Sequence, residues 1–212
     1  RGMDDPMSAG FVSITVSVID GGGMLLSVVD AERLRRVLAE VLSEDSMLGP
    51  YGIRSLSARH RQEPFAVMVD GQEFRIDYEP AESTTPIYGG NSNWRGPVWF
   101  PINHLLIEAL ERYYLYLGPE FTVECPTGSG VMMDLSQVAA ELRRRLLSLF
   151  LPDSTGARPC FTGDSTFLTD PRWNQNVLFH EYFCGDIGRG LGASHQTGWT
   201  GLVADLIIGR KG

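Results

Sequence analysis

Gly89-Gly90-Asn91-Ser92-Asn93-Trp94-Arg95-Gly96-Pro97-Val98-Trp99-Phe100 runs straight into residues 101–117, and these two adjoining pieces decide how the chain is read. The second piece is apolar on nearly every side: Ile102, Leu105, Leu106, Ile107, Ala109, Leu110, Tyr113, Tyr114, Leu115 and Leu117 leave little polar face. A helix of that kind has to be enclosed by other helices, because water would otherwise meet apolar surface all round. Gly118-Pro119 stops it. Pro97 and Pro101 cannot both occupy the first helical position, so either the first turn is irregular or regular helix begins at Pro101.

Outward from there the pattern is helix, irregular loop, helix. Leu34, Val37, Leu38, Val41 and Leu42 recur at helical spacing behind Asp30, a good N-cap, and Gly49-Pro50 ends that run. Leu135, Val138, Ala139, Leu142, Leu146, Leu149 and Phe150 mark another helix, capped by either Ser129 or Asp134. Its Arg143-Arg144-Arg145 run reads as a solvated face with one arginine reaching an acid. A last helix is expected over residues 196–208. Residues 65–78 read as a hairpin turning at Asp70-Gly71, residues 11–19 as a strand ended by Gly21-Gly22-Gly23, and residues 121–123 as a short strand. Residues 51–61 and 159–173 read as loop. The expectation is a mainly α scaffold with a small β-hairpin insertion and function carried on its loops.

The 212 residues fit one sizeable core, and 43% hydrophobic with 21% charged residues is ordinary for a globular protein. A net charge of −8 argues against a nucleic-acid surface, which needs clustered Lys and Arg. No apolar run is long enough to span a membrane. Cys125, Cys160 and Cys184 are widely spaced and odd in number, which suggests a reducing, cytoplasmic setting rather than a disulfide framework or zinc knuckle. Residues 1–24 are poorly patterned and begin with Arg. They read as an atypical leader of unknown structure, or as a sign that the chain is a piece of something longer, with residues 25–212 as the body.

The chemistry suggested by the opening string is carbohydrate recognition. A sugar lays its C–H face on an aromatic ring and needs fixed donors and acceptors for its hydroxyls. Trp94 and Trp99 offer the rings, and Asn91, Asn93 and Arg95 the polar groups. Core tryptophans at a helix entrance, with Arg95 paired to a carboxylate, are the alternative. Asp77, Glu79 and Glu82 lie on an acidic loop just before the string, either as site walls or as solvated carboxylates. Glu181 stands between an apolar, aromatic run and the glycine-rich residues 185–192, a setting in which a carboxylate can be tuned or aimed at a water. Those glycines lack the strand and Lys-Ser/Thr context of a phosphate loop, and His180-Glu181 lacks the second histidine of a zinc protease. No metal or cofactor is implied.

Several strings together resemble one family. Leu48-Gly49-Pro50-Tyr51-Gly52-Ile53-Arg54-Ser55-Leu56-Ser57, Asp77-Tyr78-Glu79-Pro80-Ala81-Glu82-Ser83, the whole Gly89 to Phe100 string, Glu124-Cys125-Pro126-Thr127-Gly128-Ser129-Gly130, and His180-Glu181-Tyr182-Phe183 with Gly192-Ala193-Ser194-His195-Gln196-Thr197-Gly198-Trp199-Thr200-Gly201 resemble the C-terminal part of glycoside hydrolase family 63-like, six-hairpin glycosidases of the mannosyl-oligosaccharide glucosidase and mannosylglycerate hydrolase type. The resemblance covers nearly all of residues 24–208. It implies part of an (α/α)6 barrel and an inverting, α-glucosidase-like hydrolase acting on an oligosaccharide or glycoside. Glu181 falls at the family's base position, with Trp94, Arg95, Trp99, Asn93, Tyr88, Glu79, Trp199 and His195 as substrate contacts. The family's acid lies far upstream of the tryptophan motif, where this chain has almost nothing. The expected partner is therefore the missing N-terminal part of the barrel. The alternative is a non-catalytic sugar-binding or scaffold fragment that needs that part.

Overall fold

The computed structural model describes residues 13–15, 25–85, 93–164 and 166–209. Tyr88 and residues 89–92 of the opening string lie outside them, as does most of the segment read as a leader. Within that segment strand β1 (Ser13–Thr15) pairs antiparallel with β2 (Leu25–Ser27). Helix α1 (Ala31–Val41) follows, capped by Asp30, whose side chain accepts from the Arg33 N–H at 2.7 Å. Leu34 and Leu38 turn inward, as the spacing requires.

Residues 51–61, expected as loop, contain more order than that. β3 (Leu48–Gly49) pairs with β4 (Gly52–Ile53), and a 3₁₀ turn covers Ala58–Arg61. Two-residue strands carry no periodicity for a sequence to display. The hairpin of β5 (Phe65–Val69) and β6 (Gln72–Ile76) turns at Asp70-Gly71, with φ of 51° and 80°, the double positive of a type I′ turn.

Helix α2 (Phe100–Leu117) begins one residue before Pro101, which sits in its first turn where a missing N–H costs nothing. It buries Phe100, Asn103, His104, Ile107 and Leu110. Asn103 fastens it to β4, accepting from the Ile53 N–H at 2.7 Å and donating to the Ile53 carbonyl at 3.0 Å. Strands β7 (Thr122–Glu124) and β8 (Met132–Asp134) form a second hairpin. Helix α3 (Leu135–Ser148) packs along α2 and starts with a capping box between Asp134 and Gln137, so Asp134 rather than Ser129 is the cap. Its arginines are not one solvated face. Arg143 pairs with Glu111, Arg144 with Glu141 at 2.7 Å, and the buried Arg145 with Glu141 and Glu44 while donating to the Gly49 carbonyl at 2.8 Å.

The stretch expected to be irregular holds a 3₁₀ turn at Pro159–Phe161 and the single-turn α4 (Thr166–Thr169). Beyond it β9 (Tyr182–Phe183) pairs with β10 (Gly190–Leu191). The expected last helix is instead two, α5 (Thr197–Thr200) and α6 (Val203–Ile208). Gly198 and Gly201 account for the break, glycine being the poorest helix former after proline. The main core joins α1, α2 and α3 through Leu38, Leu42, Ile107, Leu110, Leu142 and Leu146. The hairpins and short strands cluster around this helical framework, and among the described residues α2 is enclosed on one side only.

Candidate active site

Residues 93–99 form an irregular strap that bends at Arg95-Gly96 and folds back so that its two ends touch. Val98 exchanges two backbone hydrogen bonds with Phe183, at 2.8 and 3.0 Å, so the tryptophan motif lies beside the strand that follows Glu181. On its other side the Glu79 N–H donates to the Arg95 carbonyl at 2.6 Å. Gly185 packs so tightly against the strap that an added Cβ would stand 2.3 Å from the Gly96 carbonyl oxygen.

The strap's polar residues face inward. Asn93 is fully buried; its amide donates to the carbonyls of Glu79 and Ala81 at 2.7 and 2.6 Å and accepts from the Arg95 N–H at 2.9 Å. Arg95 is 3% exposed and donates to the Glu79 carboxylate at 2.5 Å and the Ser83 hydroxyl at 2.6 Å. Thr84 also donates to Glu79, from its hydroxyl and its N–H, which engages both carboxylate oxygens. Arg95 and Glu79 thus form a wall behind the surface.

The aromatic residues make that surface. Trp94 lies flat on Trp99, with centroids 3.9 Å apart and planes within 4°. Trp99 is buried, donates its indole N–H to the Asn93 carbonyl at 2.8 Å, stacks on Tyr182 at 4.8 Å, and meets Trp199 at 5.4 Å. Trp94 and Trp199 keep 39% and 38% exposure, so the outer face of the cluster is open to a ligand. A cavity of about 250 Å³ opens beside Trp94 and Trp99, lined further by Met47, Ile53, Arg54, Ser55, Ile102 and Asn103.

Glu181 sits at the start of the β9–β10 hairpin. Its N–H donates to the Ala193 carbonyl at 2.8 Å, and the Ala193 N–H returns a bond of 3.2 Å to its carboxylate. Gly192 lies in the left-handed region at φ 69°, and a Cβ there would come within 2.6 Å of the same carboxylate oxygen. Only glycine meets both conditions. Next along, Tyr182 has its phenol pushed up to about 12, by burial first and then by the charges of Glu82 and Glu181, so it stays neutral between two carboxylates. Burial and then His195 push the His180 imidazole down, and His195 itself is exposed. The Thr200 hydroxyl donates to the His180 carbonyl, which brings α5 and Trp199 against the Glu181 strand.

The sequence sets Tyr182 beside Glu181, but nothing local says that its ring completes the tryptophan stack, and nothing local marks Asp186. Asp186 receives Arg61 at 2.5 Å and the Tyr78 hydroxyl at 2.8 Å, with Arg54 at 3.8 Å, and so ties the tip of the glycine-rich loop to two distant segments. A larger cavity, about 540 Å³ between Tyr51, Arg158, Phe161 and Phe167, borders none of the expected site residues. Its two carboxylates are occupied as turn acceptors, Asp153 by Thr155 and Asp164 by Thr166. Among the described residues no three His, Cys, Asp or Glu side chains converge as a metal site.

The family model of the mannosylglycerate hydrolase MGH1-like glycoside hydrolase domain matches residues 13–200. The chain belongs to this family. It is 53% identical over 189 residues to uncharacterized protein YMR196W of Saccharomyces cerevisiae, a match covering 88% of this chain and 17% of that protein. It is 27% identical over 179 residues to the mannosyl-oligosaccharide glucosidase of the same yeast, covering 84% of this chain and 15% of the enzyme. With the probable mannosyl-oligosaccharide glucosidase of Schizosaccharomyces pombe identity is 23% over 210 residues, covering 96% of this chain and 18% of that protein. The chain therefore spans less than a fifth of the length of these curated relatives.

Proposed function

We propose that this chain carries the general base and one wall of the sugar site of an inverting, α-glucosidase-like hydrolase. Glu181 takes the proton from the water that attacks the anomeric carbon, from the face opposite the leaving group. The observation that supports this reading is its setting: a carboxylate held by the Ala193 N–H and closely backed by Gly192, beside an aromatic cluster whose outer face is open. The exposed faces of Trp94 and Trp199 receive the sugar ring, with His195 near the rim. Arg95, Asn93 and Glu79 act one layer back by fixing the strap, since they are bonded to each other and to neighbouring backbone beneath the aromatic surface.

The general acid comes from polypeptide outside this chain. Glu79 is engaged by Arg95 and Thr84 and is poorly placed to protonate a leaving oxygen. The complete catalytic unit is an (α/α)6 barrel to which this chain contributes three long helices and the loops at one end. Three buried, unpaired cysteines fit a reducing, cytoplasmic setting.

Glu181→Gln in the assembled enzyme tests the assignment. A general base contributes about 10²–10⁴ in rate, so hydrolysis falls by that factor while sugar affinity holds. Near wild-type turnover in the variant ends the assignment and favours the second reading, a non-catalytic sugar-binding or scaffold role.

A further inference from the structure

Two residues lining one recess each hold a buried nitrogen with no hydrogen-bond partner among the described residues: His180 at Nδ1 and Arg189 at Nε. The recess is a cavity of about 330 Å³ against the β9–β10 hairpin, walled further by Phe161, Asp164, Gly190 and Ser194. Among the described residues neither Glu181 nor a tryptophan lines it. His180 is held firmly there: a Cβ on Gly190 would stand 2.1 Å from its ring, which also meets Phe161 and Phe183 edge-on at 6.5 and 6.3 Å. Arg189 is half-buried and makes no ion pair among the described residues. Its walls do little to offset its charge. Burial pushes the Cys160 thiol up to about 12, so it stays neutral, and the carboxylate of Asp164 is taken up as a turn acceptor by the Thr166 N–H at 2.9 Å.

We propose that this recess binds a small oxyanion, phosphate either free or as the ester of a larger molecule, held by Arg189 and His180. Arginine Nε–H can only donate, so the occupant has to offer an acceptor. A water would accept the bond but leave the guanidinium unmatched in a recess, whereas an oxyanion supplies acceptor and countercharge together. His180 is the second donor, through one N–H when neutral and with a charge as well when protonated. Burial first and then His195 push this imidazole down, and an anion in the recess acts the other way. An ester has room. The recess shares Phe161, Thr162, Gly163, Asp164 and Phe167 with the 540 Å³ cavity, and Phe161 and Phe167 stack at 4.3 Å where the two meet. The cation of that larger cavity, Arg158, is committed to the carbonyls of Phe150 and Asn174 at 3.0 and 3.3 Å, which leaves the anion to Arg189. The site stands apart from the tryptophan surface and does not depend on Glu181 being the base.

The test is thermal denaturation of the chain in sodium phosphate, with sodium chloride at equal ionic strength as the reference. Phosphate at tenfold excess over its Kd raises the melting temperature by roughly 3–6 °C. Arg189→Gln leaves the melting temperature in chloride unchanged, because no partner is lost, and weakens phosphate binding at least tenfold. Arg189→Lys keeps the charge without the planar fork and falls between the two. Side-chain NMR of His180, assigned by its loss in His180→Gln, gives a second readout: phosphate raises the pH at which the imidazole titrates, which a merely structural arginine would not do. Phenyl phosphate separates the two sources. Binding tighter than that of inorganic phosphate assigns the site to an ester, equal binding assigns it to the free ion, and either one is lost in Arg189→Gln. Equal stabilisation by chloride, or phosphate binding that survives Arg189→Gln, overturns the proposal. So does phosphate binding that disappears in the assembled enzyme, since another segment then supplies the countercharge of Arg189. Hydrolysis enters none of these measurements, so they stand or fall separately from the assignment of Glu181.

Discussion

Gly192→Ala separates backbone strain from displacement of Glu181. At φ 69° an alanine occupies the left-handed region, at about 1–2 kcal/mol. For a chain of this size that lowers the melting temperature by roughly 2–8 °C. The new methyl would also lie 2.6 Å from the Glu181 carboxylate oxygen and 2.8 Å from the Tyr182 ring, where ordinary contact begins near 3.4 Å. The ring is held by Trp99, so the carboxylate gives way by about 0.8 Å, and a shift near 1 Å in a reacting group costs up to about 10² in rate. Gly71→Ala is the control: its φ is 80° and nothing lies within 4 Å of its added Cβ. Scanning calorimetry of the two variant chains should give the larger loss of stability for Gly192→Ala, whose methyl meets the Glu181 and Tyr182 side chains in addition to the backbone strain that both variants share. On the proposed reading of Glu181 as the base, hydrolysis by the assembled enzyme should fall about 10- to 100-fold for Gly192→Ala alone. Wild-type turnover in Gly192→Ala, or an equal fall in Gly71→Ala, refutes the reasoning.

Other consequences follow from buried charge. Arg95→Lys should cost stability first, about 1–3 kcal/mol, because Arg95 is 3% exposed and its planar fork is bonded to Glu79 and Ser83. An unchanged melting temperature with weakened sugar affinity would restore direct contact. Glu141 is held down to about 2, first by its bond to Arg144 and, against burial, by Arg145. A depressed carboxylate contributes stability above its unfolded value near 4.5 and loses it as pH falls through about 2. Denaturant titrations of wild type and Glu141→Gln should therefore differ by about 1–3 kcal/mol at pH 7 and converge between pH 4.5 and 2; a constant offset across that window contradicts the assignment.

What the sequence revealed is what short-range physics sets. Asp30, the Asp70-Gly71 turn, Asp134 with Gln137, and Gly118 each act within a few residues, and each stands in the structure where its chemistry places it. The pairings β3–β4 and β9–β10 left no trace in hydropathy because two residues make no pattern, and the exchange between Val98 and Phe183 is decided by the whole fold. At the site, the tryptophans and amides identified the surroundings but not the layering. Whether an arginine beside two indoles faces a ligand or a buried acid depends on Glu79, some way back along the chain, and on the direction in which the strap crosses it. Asp186 has no local signal, since its partners Arg54, Arg61 and Tyr78 belong to the other half of the chain.

The parallel indoles of Trp94 and Trp99 lie close enough for their excited states to mix. Coupling of this kind depends steeply on the distance and relative orientation of the two rings. The inner ring is locked by Asn93 and Tyr182, while the outer one faces water. Anything that settles on Trp94 alters the coupling from one side only. The molecule thus contains an optical probe for occupancy of this surface, readable without a label and before any turnover is measured.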